Sequence, residues 1–155
     1  MRTFEYVCGR CGCTYRAFQV ASSYGTLGFW DESGKHNAVV DAIGDPLFGR
    51  VTTTLQRHPA FPSINERPRG QVIQRVVARL SDPSPSGQAY DPDAKPACPH
   101  CGASSPKEWR SVEPPEVTEL EIPTLSRTVW NALPEAKQEE LLTQEVNDAI
   151  SRSLE

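Results

Sequence analysis

The sequence of 155 residues lacks several features that would assign it to a common functional class. It contains no apolar run of about 18 residues, which argues against a membrane-spanning helix. It has no apolar signal-peptide core after Met1, so we expect a cytoplasmic protein. Nucleophile–base motifs, phosphate-binding glycine loops and helical histidine pairs are also missing. These absences predict a protein that is not an enzyme.

Basic residues are scarce in the second half of the chain. Residues 1–80 hold ten Arg/Lys and six Asp/Glu, a net charge of +4, whereas residues 81–155 hold six and fourteen, a net charge of −8. A protein that binds nucleic acid through phosphate contacts usually has the opposite balance. The charge therefore favours a protein partner over DNA or RNA, although it allows a local basic patch.

Five cysteines stand out against this background, and four of them form two Cys-x-x-Cys pairs. In a reducing compartment such pairs are better interpreted as metal ligands than as disulfides. Two pairs supply the four thiolates of a closed, tetrahedral zinc site. We therefore predict one structural Zn²⁺ per chain, bound by Cys8, Cys11, Cys98 and Cys101.

Two alternatives to a shared metal site remain open, namely separate reduced dithiols and a redox Cys-x-x-Cys motif. The redox motif normally precedes the N-terminus of a helix, and neither pair is followed by a helical pattern. The fifth cysteine, Cys13, is expected to be a small, partly buried thiol outside the site. His100 lies between two ligands and is expected to face solvent.

The segment from Phe4 to Gly12, with the pattern Phe-Glu-Tyr-x-Cys-x-x-Cys-Gly, resembles the start of FmdB-like and related small zinc-ribbon proteins. The second pair, in the pattern Cys-Pro-x-Cys-Gly, matches as well. The resemblance covers roughly 25 residues and implies a zinc ribbon. Those families separate the two knuckles by a short hairpin, whereas 86 residues lie between Cys11 and Cys98 here.

The remaining patterns predict an α+β fold in a single domain, residues 1–155, with the zinc ribbon built from residues 1–20 and 96–112. Alternation predicts strands over 3–7 and 14–20 and a hairpin formed by 24–30 and 36–40 in an insertion over 21–95. Asp45 and Pro46 begin a helix through Leu55. Residues 58–68 are predicted to form a proline-rich loop, and residues 81–96 a linker or flexible loop.

Two segments carry apolar stripes of helical spacing. Val72 to Leu80 fits a helix, although its β-branched residues leave a strand open. The region 124–153 is predicted to be helical, with a short helix through Trp130 and a longer one from Pro134 to Ile150. Between Cys101 and this region, residues 117–122 are predicted to form an edge strand with glutamates facing water.

Four residues outside the metal site are candidates for contacts with a partner. Phe29 and Trp30 lie beside a loop, and aromatic residues there are typical of recognition surfaces. Arg75 and Arg79 belong to a basic cluster without acidic neighbours, which also fits a solvated helix face. The preferred function is binding of another protein, as an inhibitor or an immunity protein against a basic toxin. The alternative is a zinc-ribbon regulator that binds DNA or RNA.

Overall fold

A computed structural model describes residues 1–19 and 25–153. The chain forms two compact units whose segments alternate along the sequence. We call Met1–Val40 with Pro83–Thr124 the strand unit, and Asp41–Asp82 with Leu125–Glu155 the helical unit. The predicted insertion over 21–95 coincides with neither unit, because residues 25–40 and 83–95 belong to the strand unit. The single domain over 1–155 stays a prediction.

The strand unit contains two small three-stranded sheets. In the first, β1 (Arg2–Cys8) lies between β2 (Thr14–Gln19) and β6 (Pro106–Ser111), antiparallel to both. In the second, β3 (Thr26–Asp31) lies between β4 (Asn37–Asp41) and the short β5 (Tyr90–Asp91). The predicted alternation holds because Tyr6 of β1 is buried and stacks on Tyr15 of β2, with ring centroids 5.4 Å apart. Val20 and Tyr24, also predicted in strands, lie outside the described residues.

The helical unit contains α1 (Pro46–Arg57), α2 (Glu66–Arg79), α3 (Thr128–Ala132) and α4 (Glu135–Ser153), with a 3₁₀ turn at Phe61–Ser63. Asp45 caps α1 as predicted, because its carboxylate accepts from the amides of Leu47 and Phe48. Helices α1, α2 and α4 pack on one another through aliphatic side chains. The buried set is Leu47, Val51, Leu55, Val72, Val76, Val77, Leu142, Val146 and Ile150.

Three predictions need correction or refinement. The stripe from Val72 to Leu80 is helical, and α2 begins at Glu66, so Pro68 lies in its first turn, where proline is tolerated. Residues 81–96 are not a free linker, because Ser84 is buried and β5 pairs with β3. Residues 117–122 do not form a strand, since only Val117 makes a bridge, to Arg2. No helix among the described residues is long and apolar enough to cross a membrane.

Candidate metal centre

The first cysteine pair lies in a tight turn at the end of β1. The amide of Cys8 donates to the carbonyl of Cys13 at 2.9 Å, and the amide of Gly12 donates back to the carbonyl of Cys8 at 3.1 Å. Gly12 has φ 72°, a conformation that glycine adopts without steric cost. The sulfurs of Cys8 and Cys11 both belong to one group of four cysteine sulfurs.

The second pair has the same two backbone hydrogen bonds. The amide of Cys98 donates to the carbonyl of Ala103 at 2.8 Å, and the amide of Gly102 donates to the carbonyl of Cys98 at 2.8 Å. Gly102 has φ 74°. The two knuckles are therefore two copies of one local structure, although they lie about 90 residues apart along the chain.

The four sulfur atoms form one cluster, in which all lie within 4.8 Å of one another. The sulfurs of Cys8 and Cys101 are 3.5 Å apart, and those of Cys11 and Cys98 are 3.7 Å apart. A tetrahedral ion with metal–sulfur bonds of about 2.3 Å requires its sulfurs to be separated by about 3.8 Å. The donor set therefore fits a tetrahedral metal ion, and the prediction that these four cysteines come together is confirmed.

Hydrogen bonds prepare the sulfur of Cys8 to bind a cation as a thiolate. The amide of Arg10 donates to this sulfur at 3.4 Å. Backbone hydrogen bonds, from Cys11 first and also from Arg10, lower the pKa of Cys8 to about 6 against the opposing effect of burial. The lowered pKa favours the thiolate form, which is the form that binds a metal.

The crowding of the sulfurs has the opposite effect on Cys11. A backbone hydrogen bond from Cys13 lowers the pKa of Cys11, but lost solvation and the neighbouring thiols outweigh it and raise the pKa above its usual range. Four negative charges at this spacing repel one another unless a cation lies between them. A divalent metal ion removes this conflict and allows all four sulfurs to ionise.

The side chains around the cluster come from three separate parts of the strand unit. Tyr15, buried on β2, donates its hydroxyl to the carbonyl of Pro96 at 2.8 Å, which fixes the chain two residues before Cys98. Burial first, and then the nearby cysteine sulfurs, raise the pKa of Tyr15 to about 12, so it stays a neutral donor. Cys8 and Cys98 are each 1% exposed and share one core cluster with Tyr6 and Tyr15.

Two glycines allow the segments around the cluster to approach closely. A Cβ atom on Gly9 would lie 2.7 Å from the carbonyl oxygen of Ser105, and one on Gly34 would lie in contact with the backbone of Lys95 and Ala97. The carbonyl of Gly34 also accepts from the amide of Ala97 at 2.8 Å. The sequence gives no spacing signal for these contacts, because they join residues more than 60 positions apart.

Neither pair of cysteines precedes a helix. Strand β2 follows the first knuckle and β6 follows the second, which is not the setting of a redox Cys-x-x-Cys motif. Cys13 occupies the position equivalent to Ala103 and packs, partly buried, against the core cluster. Within the described residues, the metal-binding group contains neither Cys13 nor His100, and His100 is exposed as expected.

The other candidate residues are not members of the four-cysteine group. Phe29 is 1% exposed and belongs to the core, so its predicted place on a recognition surface is wrong. Its neighbour Trp30 is half-buried and packs on Phe18, with ring centroids 5.7 Å apart. Strand alternation explains the difference, because successive side chains point to opposite faces of a sheet. Arg75 and Arg79 lie on α2 in the helical unit.

A buried carboxylate, which the sequence did not single out, closes the turn between β3 and β4. Asp31 is 0% exposed. It accepts two amides, of Lys35 and His36, at 3.0 and 3.3 Å, and three hydroxyls, of Ser33, Ser84 and Ser86, at 2.8, 2.8 and 3.0 Å. Burial favours the neutral acid, but these donors outweigh it and hold the pKa of Asp31 below its usual range.

No family model, curated protein or solved structure matches this chain. The geometry therefore shows a four-cysteine group that fits a metal ion in an α+β protein, and the resemblance to FmdB-like proteins and zinc ribbons stays a prediction.

Proposed function

We propose that the four cysteines bind one Zn²⁺ in a closed structural site and that the chain around them is a zinc ribbon with distant knuckles. The observation that supports this most strongly is the mutual distance of the four sulfurs, all within 4.8 Å. Tetrahedral four-thiolate sites select zinc or iron among the common metals. Two knuckles with the same hydrogen bonds, each followed by a strand of one sheet, are what a zinc ribbon requires.

Elemental analysis of protein purified without chelators tests the metal directly. We expect one zinc per chain, and a Co²⁺-substituted sample with the intense absorption of tetrahedral thiolate coordination. Cys98→Ser should lose the metal, whereas the matched variant Cys13→Ser should keep it, because Cys13 lies outside the group of four. A folded wild-type protein without metal, or with stoichiometric iron, would contradict the assignment.

The role we propose for the protein is non-enzymatic binding of another protein. A four-thiolate shell fills every position of a tetrahedral ion, so the metal supplies structure and no reactive water. The surface of the strand unit supports a binding role, because three large apolar side chains are exposed there: Trp109 at 54%, Val117 at 69% and Leu120 at 51%. Exposed apolar groups of this kind mark interaction sites when they are contiguous.

The charge suggests what kind of protein is bound. Residues 81–155 carry a net charge of −8, and complementary charge speeds the association of a basic partner. An inhibitor or an immunity protein against a basic toxin would use such a negative charge. This role rests on charge alone and is a proposal about the class of partner.

Capture from cells at low ionic strength tests the binding role. The partner should be identified by mass spectrometry, purified separately and shown to rebind, with an affinity that falls as salt is added. A gel shift with nucleic acid would contradict protein binding if it is sensitive to salt and is lost when Arg75 and Arg79 are both changed to Glu. It would favour the alternative of a zinc-ribbon regulator that binds DNA or RNA. The control variant Arg57→Glu with Arg152→Glu reverses the same number of charges elsewhere. If it keeps the gel shift, the nucleic-acid binding is localised to α2.

A further inference from the structure

Residues 119–122 of the strand unit form a stretch of open backbone between two hydrogen-bonded ends. At one end, the amide of Thr118 donates to the carbonyl of Met1 at 3.1 Å, and at the other, the amide of Val39 donates to the carbonyl of Pro123 at 2.9 Å. Within the part of the chain that the structure describes, no backbone hydrogen bond involves residues 119–122. An unpaired stretch of this length can accept another chain as a β-strand.

The same residues line an apolar groove of about 500 Å³. Its other walls come from Met1, Thr26 and Val39, and Leu120 contributes a side chain that is 51% exposed. Ile122 adds a second, half-buried aliphatic group. The groove therefore offers pockets for apolar side chains next to backbone groups that have no partner among the described residues, the combination used in strand addition.

Two carboxylates define the charge of the groove. Glu119 and Glu121 flank Leu120, both are exposed, and both line the groove. Among the described residues neither forms a salt bridge, whereas the nearby Glu116 is paired with Arg16 at 3.1 Å. The described residues that line the groove include no Lys or Arg side chain, but they include Met1, whose ammonium donates to the carbonyl of Thr118 at 3.1 Å. Two carboxylates against one ammonium leave the groove with a net negative charge, which is complementary to a basic segment.

From these three features we propose that residues 118–122 bind an extended, basic segment of a partner protein, in which Lys or Arg alternates with aliphatic residues. The backbone of the segment pairs with residues 119–122, its aliphatic side chains enter the groove, and its cations meet Glu119 and Glu121. The proposal rests on the proposed binding role and specifies its surface and the chemistry of the ligand.

Synthetic ten-residue peptides provide the probe. One alternates lysine with valine, a second has the same composition with the lysines in one block, and a third replaces lysine by glutamate. We expect the alternating peptide to bind with a Kd of roughly 10–100 µM, as befits an interface below about 1,200 Å². The other two should bind at least about tenfold more weakly, because they lack the spacing or the charge. N-methylation of alternate amides on the pairing edge of the first peptide should abolish binding.

Variants of the protein localise the site. Leu120→Asp should weaken binding of the alternating peptide about 10-fold or more, because it removes apolar area and adds a buried charge. Glu119→Lys with Glu121→Lys should weaken it about 10-fold and reduce its dependence on salt. Glu108→Lys with Glu113→Lys, both at exposed positions of the strand unit, also reverses two charges and is the matched control, which should change binding less than twofold.

Three results would overturn the proposal. One is equal binding of the alternating and block peptides, which would indicate charge attraction without strand pairing. Another is a concentration-dependent dimer of the wild-type protein that Leu120→Asp abolishes, because a second copy would then occupy the groove. The last is a purified partner that binds wild type and Leu120→Asp equally, which would retain the binding role and reject this surface. If the alternating peptide binds but no partner protein is found, the proposed protein-binding role is rejected and the groove at residues 118–122 remains a binding site.

Discussion

The two units of this protein obtain their stability from different chemistry. The core of the strand unit beside the candidate metal centre consists of two tyrosines and two of the cysteine ligands themselves. The buried residues of the helical unit are mainly aliphatic side chains from α1, α2 and α4, together with Trp130 of α3. A metal ion held by the four cysteines would therefore be part of the core of the strand unit, whereas none of these cysteines belongs to the helical unit. Chelation, core mutation and pH should consequently act on the two units separately.

Removal of the metal should have the largest effect. Structural zinc contributes about 10–16 kcal/mol of binding free energy in small zinc domains, which is comparable to the whole stability of a folded domain. Cys98→Ser, or chelation of the wild-type protein, should abolish amide protection in β1, β2 and β6 and leave the helices of the other unit protected. Hydrogen exchange read by mass spectrometry measures both units at once. Cys13→Ser is the control and should retain the protection of the strands.

The same hydrogen-exchange experiment can contradict the view that the two units are stabilised independently. Complete loss of helical protection on chelation would mean that the helical unit depends on the metal. The two units would then unfold together, as the prediction of a single domain implies.

Truncation of the helical core should have the next largest effect. Leu142 on α4 is 1% exposed, so Leu142→Ala should lower the free energy of unfolding by about 2–5 kcal/mol. Zinc content should stay at one per chain, because no ligand lies in this unit. Leu141→Ala, at a half-buried neighbour, should cost clearly less. Loss of zinc from the Leu142→Ala variant would show that the metal site depends on the core of the helical unit.

Neutralising the buried carboxylate should destabilise the strand unit without touching the metal. Asp31→Asn weakens several charge-assisted hydrogen bonds, so we expect a loss of about 2–3 kcal/mol in thermal or denaturant unfolding. The pKa of Asp31 is lower in the folded protein, so its contribution is present above the ordinary aspartate pKa of about 3.9 and is lost as pH falls below it. The variant should lose this acid dependence. An unchanged stability for Asp31→Asn, with Glu108→Gln as the exposed control, would show that the network is dispensable.

The smallest effect is expected at the start of α3 in the helical unit. Asp82 accepts from the amides of Thr128 and Val129 at 2.7 and 3.0 Å and from the hydroxyl of Ser126 at 2.8 Å. Replacement of such a cap by alanine costs about 1 kcal/mol. Partial burial opposes ionisation, but these hydrogen bonds outweigh it and lower the pKa of Asp82 to about 2. The stabilisation is therefore complete above about pH 4 and disappears as pH falls towards 2.

Denaturant unfolding of Asp82→Ala at neutral pH and at pH 2 measures this contribution. Ser126→Ala removes one of the three donors and should cost less. Equal destabilisation by Asp82→Ala at both pH values would contradict the assignment to ionised Asp82.

Local patterns in the sequence predicted α1, α4 and the four cysteines that lie together, whereas they left a strand open for α2. The stripe of Leu142, Val146 and Ile150 predicts α4 because burial repeats with the helical period, and two-residue spacing within each cysteine pair predicts the metal group. The sequence also identifies Asp45 as a cap, because its chemistry is local to α1. These features depend on residues a few positions apart.

The errors occur where long-range contacts decide the structure. Phe29 and Trp30 are both aromatic, and only the pairing of β3 determines which of them faces the core. Residues 81–96 have a loop-like composition, yet Ser84 and Ser86 are held by Asp31 more than 50 positions away. Residues 117–122 alternate like a strand but find no partner strand within the described chain. Composition does not report such pairings.

The alternation of the two units along the chain has a consequence for synthesis in the cell. The group of four cysteines cannot form until the second pair has been synthesised, and Cys98 lies 87 positions after Cys11. At translation rates of about 5–20 residues per second this delay is roughly 4–17 s. During that time two thiols are available to any metal or oxidant, and the first half of the helical unit also lacks α4. Synthesis of the helical unit begins before the strand unit is complete, and the helical unit is completed last. The order of the segments along the chain therefore sets the order in which the two units can assemble.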